Sequence, residues 1–169
     1  LAESRRVLGG RVTLESSLPG LGQWARVRDW RLNQIEKLAN VDVYLDSTID
    51  EEQVLEFGPD RVVVATGAKW RKDGVGRWHT SAVPGWDLPS VFTPDDIMAG
   101  AVPSGPVVVF GDDHYYLGGV IAETLRLAGL EVTLVTTANE VSTWTAHTDE
   151  QHRIQTRSLK LGISVAAGM

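Results

Sequence analysis

The chain contains no cysteine. Disulfides, thiol redox catalysis, iron–sulfur ligation and cysteine–zinc centres are therefore excluded from these residues. No apolar run approaches the roughly 18 residues of a membrane span, so no transmembrane helix is expected. No secretory signal peptide is visible at the start. Basic charge is in deficit, with 16 Lys and Arg against 22 Asp and Glu, a net charge of −6. Nucleic-acid binders need a basic patch, and peripheral membrane binders a polybasic segment. Neither partner is expected, and a cytoplasmic location is the default. No repeat of solenoid type is present.

One further absence is local. The run Leu1-Ala2-Glu3-Ser4-Arg5-Arg6-Val7-Leu8-Gly9-Gly10 places an acid at the end of a short apolar stretch, then a basic loop and two glycines. This order normally follows the first strand–helix pair of a dinucleotide-binding unit, which carries the G-x-G-x-x-G turn. No such turn precedes Glu3, so a truncated first nucleotide site is expected, with a correspondingly incomplete function.

What is present suits a globular α/β protein. The 169 residues are 43% hydrophobic and 22% charged, ordinary values for a soluble domain large enough to hold a core. Residues 22–39 read as a helix, with Trp24, Val27, Ile35 and Leu38 near one face. Val41–Asp46 alternates like a strand. Asp50–Glu56 suits one or two helical turns. Arg61-Val62-Val63-Val64-Ala65 reads as a strand buried on both faces of a parallel sheet.

Five of the seven prolines fall between Pro84 and Pro106. This change of texture marks residues 68–104 as a crossing between a first lobe, 1–67, and a second, 105–169. A short helix is predicted at 94–100, begun by Thr93 and Pro94. Pro106–Phe110 then reads as a second buried strand, 115–128 as a helix ended by Gly129, and Glu131–Val135 as the next strand. The three form a βαβ unit of about 30 residues. A helix at 149–161 and a strand from Ile163 complete the pattern. Alternating β and α elements predict an α/β, Rossmann-like three-layer nucleotide-binding fold.

Three places could carry chemistry. Val62–Gly67 ends a predicted strand in small residues, and ligands of open α/β sheets sit at carboxyl strand ends. Ala65, Thr66 and Gly67 are therefore cofactor candidates, as are Gly9 and Gly10. Glu3 could accept hydrogen bonds from both ribose hydroxyls of an adenosine, although a plain solvated acid would look the same. The third place is Gly111-Asp112-Asp113-His114-Tyr115-Tyr116, where a second dinucleotide turn belongs. Gly111 keeps the first glycine, but Asp113 and Tyr116 replace the other two. Two carboxylates at a helix N-terminus repel the pyrophosphate which that end would otherwise attract. The following strand ends Leu134-Val135-Thr136-Thr137, without the acid that selects NAD or the arginine that suits NADP. This lobe is expected to have lost nicotinamide binding, its acids serving to cap the helix.

Asp112, Asp113 and His114 could be imagined as metal ligands, but helix-cap acids and a loop histidine are the simpler reading. Trp24 and Trp30 suit helix packing, whereas Trp70, Trp78 and Trp86 could line a lobe interface. No catalytic acid, base or nucleophile stands out, and no metal site. Any redox chemistry would come from a bound cofactor.

Several stretches together resemble one family. Gly9-Gly10, Leu18-Pro19-Gly20-Leu21-Gly22-Gln23-Trp24, Arg28-Asp29-Trp30-Arg31 and Gln34-Ile35-Glu36-Lys37-Leu38 are similar to the C-terminal half of trimethylamine, dimethylamine and histamine dehydrogenases. Val62–Trp70, Val83-Pro84-Gly85 and the turn at Gly111–Tyr116 continue the likeness over nearly the whole chain. 2,4-Dienoyl-CoA reductase is a more distant relative with intact nucleotide fingerprints. The resemblance implies a parent enzyme with an old-yellow-enzyme-like barrel, a covalent FMN and a four-iron (4Fe-4S) cluster, oxidising amines. It implies electron transfer to an electron-transferring flavoprotein. It also implies a glutathione-reductase-like nested pair of domains, the first binding ADP where relatives bind FAD. Carried over, Glu3 would meet the ribose, and Gly9-Gly10 and Ala65-Thr66-Gly67 would border the nucleotide. This chain alone, without the barrel and cluster ligands, is expected to be inactive. The alternatives are a working NAD(P)H:flavin oxidoreductase lobe, or a scaffold domain binding no nucleotide. Self-association is a further expectation, through surfaces that lack their usual partners.

Overall fold

The computed structural model describes residues 1–169, which form two compact units. The first comprises Leu1–Ser17 and Leu21–Ala68, and the second Leu18–Gly20 and Lys69–Met169. Residues 69–104 thus fold with the second unit.

The second unit is built on a parallel sheet of three strands, β1 (Val107–Gly111), β2 (Val132–Thr136) and β3 (Ser164–Ala167), in that spatial order. Val107 lies beside Val132, and Thr133 beside Ser164. Helix α5 (Leu117–Leu127) crosses from β1 to β2, and α6 (Gln151–Lys160) from β2 to β3. These are the elements predicted from the sequence, displaced by one or two residues. The reason for α5 is its apolar spacing: Leu117, Val120, Ile121 and Leu125 are all buried. They meet Val132 and Leu134 of β2, at 1% and 2% exposure, and Val141 and Ile163 complete the core.

Both helices end on a glycine in the left-handed region. Gly129 (φ 91°) donates to the Arg126 carbonyl, and Leu130 donates back to Leu125. Gly162, with Ile163 bonded to Ser158, repeats the arrangement after α6. This double bond satisfies carbonyls that the helix end would leave open. Helix α4 (Pro94–Met98) starts as expected, with Thr93 and Asp96 in a reciprocal capping box and Pro94 in the first turn.

The other face of β1 is not buried. Val108 is 67% and Phe110 42% exposed, so this strand alternates instead of being apolar on both sides. The continuous run Val107–Phe110 therefore reports high strand propensity, not double burial.

The first unit differs in kind. It holds α1 (Gly10–Glu15), a 3₁₀ turn at Gly22–Trp24, α2 (Ala25–Ile35) and α3 (Glu51–Phe57). Asp50 caps α3 through a capping box with Gln53, and Gly58 closes it. None of its apolar side chains is fully buried. Trp24 and Trp30 are 49% and 63% exposed, so they do not pack their helix as expected. Val41–Asp46 makes one parallel bridge, Ala2 with Tyr44, instead of a strand.

The clearest correction concerns residues 61–65, which form no strand and lie exposed, Val63 at 89% and Val64 at 77%. A parallel strand needs neighbours to take its N–H and C=O groups, and no strand of this unit lies beside it. No helix of the chain is long and apolar enough to cross a membrane.

Candidate functional site

In the second unit the candidate site is the turn from β1 into α5. Gly111 ends β1, and the would-be Cβ of Gly118 lies 3.5 Å from the Gly111 Cα. That of Gly119 lies 3.3 Å from Ile154 Cγ2. In a dinucleotide fold, glycine here brings strand and helix together. The spacing of a dinucleotide turn puts its third glycine at Tyr116; the strand–helix approach falls instead to Gly118, and Gly119 makes a helix–helix approach to Ile154. The adjacent Gly-Gly pair, two residues later, was the available signal.

The acids do not cap the helix. The N-cap of α5 is Tyr116, with no side-chain cap bond. Asp113 Oδ1 accepts instead from the Tyr115 N–H at 3.3 Å, within its own turn. Burial pushes the Asp113 carboxyl above its ordinary range, with the neighbouring Asp112 charge adding slightly. His114 is 4% exposed and sits at φ 60°, a left-handed conformation unusual for a non-glycine residue. Its Nε2 lies 2.8 Å from the Thr137 hydroxyl. Its carbonyl accepts from the Trp144 N–H. The histidine is thus a tie between three loops, not a free ligand.

The cavity among Gly111, Asp113, His114, Gly118, Thr136 and Ser142 has a volume of about 10 Å³. One water molecule needs about that much, and small-molecule sites run to about 300–1,000 Å³. The turn has the shape of a dinucleotide site without the space for one.

In the first unit the candidate residues are dispersed along loops. Glu3 is half-buried, and its Oε1 accepts from the Arg5 N–H at 2.9 Å and the Ser4 hydroxyl at 3.2 Å. Its backbone pairs with Tyr44 and Ser47. Gly9 has φ 119°, and a Cβ there would fall 2.5 Å from Thr13 Oγ1 and 2.6 Å from Arg28 Cδ. Its role is a close approach at the entry to α1. Gly10 and Gly67 also have positive φ, with open space where a Cβ would point. Ala65, Thr66 and Gly67 are exposed. Arg11 of α1 donates to the Ala68 carbonyl at 2.6 Å, which ties the end of that segment to the helix that follows Gly9.

No protein-family model matches the chain. Dimethylamine dehydrogenase of Hyphomicrobium sp. (strain x) is 34% identical over 98% of the chain and 23% of that protein. Histamine dehydrogenase of Rhizobium sp. 4-9 superposes with a TM-score of 0.92 at 46% identity, over 99% of this chain and 26% of that one. The 6-hydroxypseudooxynicotine amine oxidase of Pseudomonas geniculata N1 gives 0.96 at 44%, over 99% and 25%. The chain spans about a quarter of the length of these relatives. Over the region it spans, the chain belongs to the trimethylamine, dimethylamine and histamine dehydrogenase family.

Proposed function

We propose that this chain is the adenine-nucleotide-carrying region of a flavin-dependent amine dehydrogenase-like oxidoreductase, and that its second lobe serves structure, not nicotinamide binding. The observation that carries the second half is the 10 Å³ cavity at the β1–α5 turn. Beside it stands a half-buried carboxylate, Asp113, where a pyrophosphate would need positive potential.

For the first unit, Glu3, Thr66 and Gly67 are the residues that would meet an ADP or the ADP half of FAD. Glu3 is half-buried, with its Oε1 accepting from Ser4 and Arg5, and Gly67 leaves room for close backbone approach. Gly9 fits less well, because Thr13 and Arg28 fill the space beside it. Such a nucleotide would supply binding energy and orientation, whereas a flavin would supply the redox chemistry. With no cysteine, this chain contributes no ligand to an iron–sulfur cluster. FMN and the cluster would belong to other parts of a longer protein, as would amine oxidation and transfer to an electron-transferring flavoprotein. The exposed Val62–Val64 segment accords with a sheet strand whose neighbours lie in such a protein. A homo-oligomeric assembly and a cytoplasmic location belong to the same proposal.

The competing reading is a lobe that delivers hydride from NAD(P)H. One relative, the NADH oxidase of Thermoanaerobacter brockii, is 28% identical over 99% of the chain. The small cavity and Asp113 weigh against it. A third reading is a scaffold that binds no nucleotide at all.

Thermal stability with ADP, FAD and NADH added separately separates the three. Ligand at a hundred times its dissociation constant adds about 2.7 kcal/mol. A rise with ADP or FAD alone is expected. A rise with NADH would overturn the structural role of the second lobe, and no rise with any ligand would leave the scaffold reading.

A further inference from the structure

In the second unit the loop Gly76–His79 lies against the last residues of β1 and the turn that follows it. The Trp78 N–H donates to Asp112 Oδ2 at 3.3 Å. The Trp78 indole stands 5.8 Å from the His114 ring, tilted by 35°. The His79 ring meets Phe110 edge-on at 5.3 Å, over the exposed face of β1. Arg77 stacks on Trp144, its guanidinium carbon 4.0 Å from the ring centre. Gly76 donates to the His79 carbonyl at 2.9 Å, which folds the four residues into a tight loop. A Cβ at Gly76 would collide with Asp112 Oδ2. Only glycine allows this approach.

We propose that Gly76–His79 is a strap, a segment of the chain itself that occupies the crevice at the carboxyl end of β1, latched by Asp112 and able to open apart from the sheet. Ligands of open α/β sheets bind at such strand ends. The strap's contacts with the end of β1 hold the space that a ligand would need. Its latch is a single hydrogen bond, from the Trp78 N–H to Asp112. Two further polar atoms, Asp112 Oδ1 and His79 Nδ1, are buried there without a protein partner. Unpartnered buried polar groups oppose closure, so this element is expected to open at lower free energy than the core of α5 and β2.

Amide hydrogen exchange on the full 169-residue chain, read residue by residue, tests this. The Gly76 and Trp78 amides are expected to be protected, yet to exchange at least about tenfold faster than those of Ile121 and Leu134. Asp112→Ala should accelerate the strap amides about tenfold or more, with α5 and β2 unchanged. Gly76→Ala, which displaces the same latch by steric conflict, should do likewise. Strap amides that exchange only as fast as α5 would overturn separate opening. Equal acceleration throughout the unit in both variants would make Asp112 a support of the fold instead of a latch. Strap amides unchanged in both would dismiss the latch altogether. The outcome does not depend on which nucleotide the first unit binds.

Discussion

Gly118 and Gly119 stand side by side in the first turn of α5, yet alanine at the two positions should have opposite effects. Glycine in a helix costs about 0.5–1 kcal/mol relative to alanine, through backbone entropy in the unfolded chain. That gain is available at both sites, since neither residue has positive φ. The surroundings decide the sign. At Gly118 the new methyl would sit 3.5 Å from the Gly111 Cα and 3.9 Å from Leu134 Cδ1, ordinary contact distances that add packing. At Gly119 it would sit 3.3 Å from Ile154 Cγ2 and 3.6 Å from Ser142 Oγ. Ile154 must then shift, and Ser142, at φ 53°, has little freedom to follow. Overpacking typically costs about 1–3 kcal/mol. Gly118→Ala should therefore stabilise the second unit by about 0.5 kcal/mol, and Gly119→Ala should destabilise it by about 1 kcal/mol. For a unit of roughly 100 residues, 1 kcal/mol corresponds to about 4 °C or more in Tm. Thermal melts of the two variants against the parent chain, followed by circular dichroism, measure the difference. Gly119→Ala melting at or above Gly118→Ala would refute the claim that helix–helix crowding at Ile154 sets this position.

Asp113 should carry a distinctive pH signature. Its carboxyl is raised above its ordinary value chiefly by burial, so the folded state binds the proton more tightly than the unfolded chain. Its contribution is then fully present below the unfolded value of about 3.9 and is lost as pH rises through the folded one. Asp113→Asn should match the parent chain at acid pH and exceed it in Tm at neutral pH. A variant with lower Tm throughout would show instead that the ionised carboxylate stabilises the turn. Asp113→Gly, which restores the glycine of a dinucleotide turn, should still give no thermal shift with NADH, because the strap and the 10 Å³ cavity remain. A clear NADH-dependent rise would mean that charge alone closes the site.

The two units differ in how far their sequence could be read, and the difference has a physical cause. In the second unit each element meets its partners within a few tens of residues. β1, α5 and β2 bury Leu117, Val120, Ile121 and Leu134 against one another, so periodicity, caps and burial agree, and the pattern predicts the result. In the first unit the pattern Arg61–Ala65 is as strong as that of β1, but strand propensity expresses itself only through pairing. With no neighbouring strand, the same kind of sequence stays without regular structure and exposed. Trp24 and Trp30 fail for the same reason: amphipathic spacing identifies a face, not what covers it.

At the candidate site, the loss of glycines at Asp113 and Tyr116 was legible, since it follows from residue types at fixed spacing. The strap was not. Gly76, Trp78 and His79 stand more than 30 residues before the turn they cover, in a proline-rich stretch without periodicity. Nothing local in the sequence connects Gly76 with Asp112; only the fold does. A glycine retained for one long-range contact looks like any loop glycine. This also changes the meaning of the degenerate turn. The carboxylate that repels a pyrophosphate at Asp113 has a neighbour, Asp112, that accepts a backbone N–H from the chain's own strap. An acid in a phosphate site is a loss when read against a dinucleotide. Read against Trp78, it is a hydrogen-bond acceptor in the place where closing the crevice requires one.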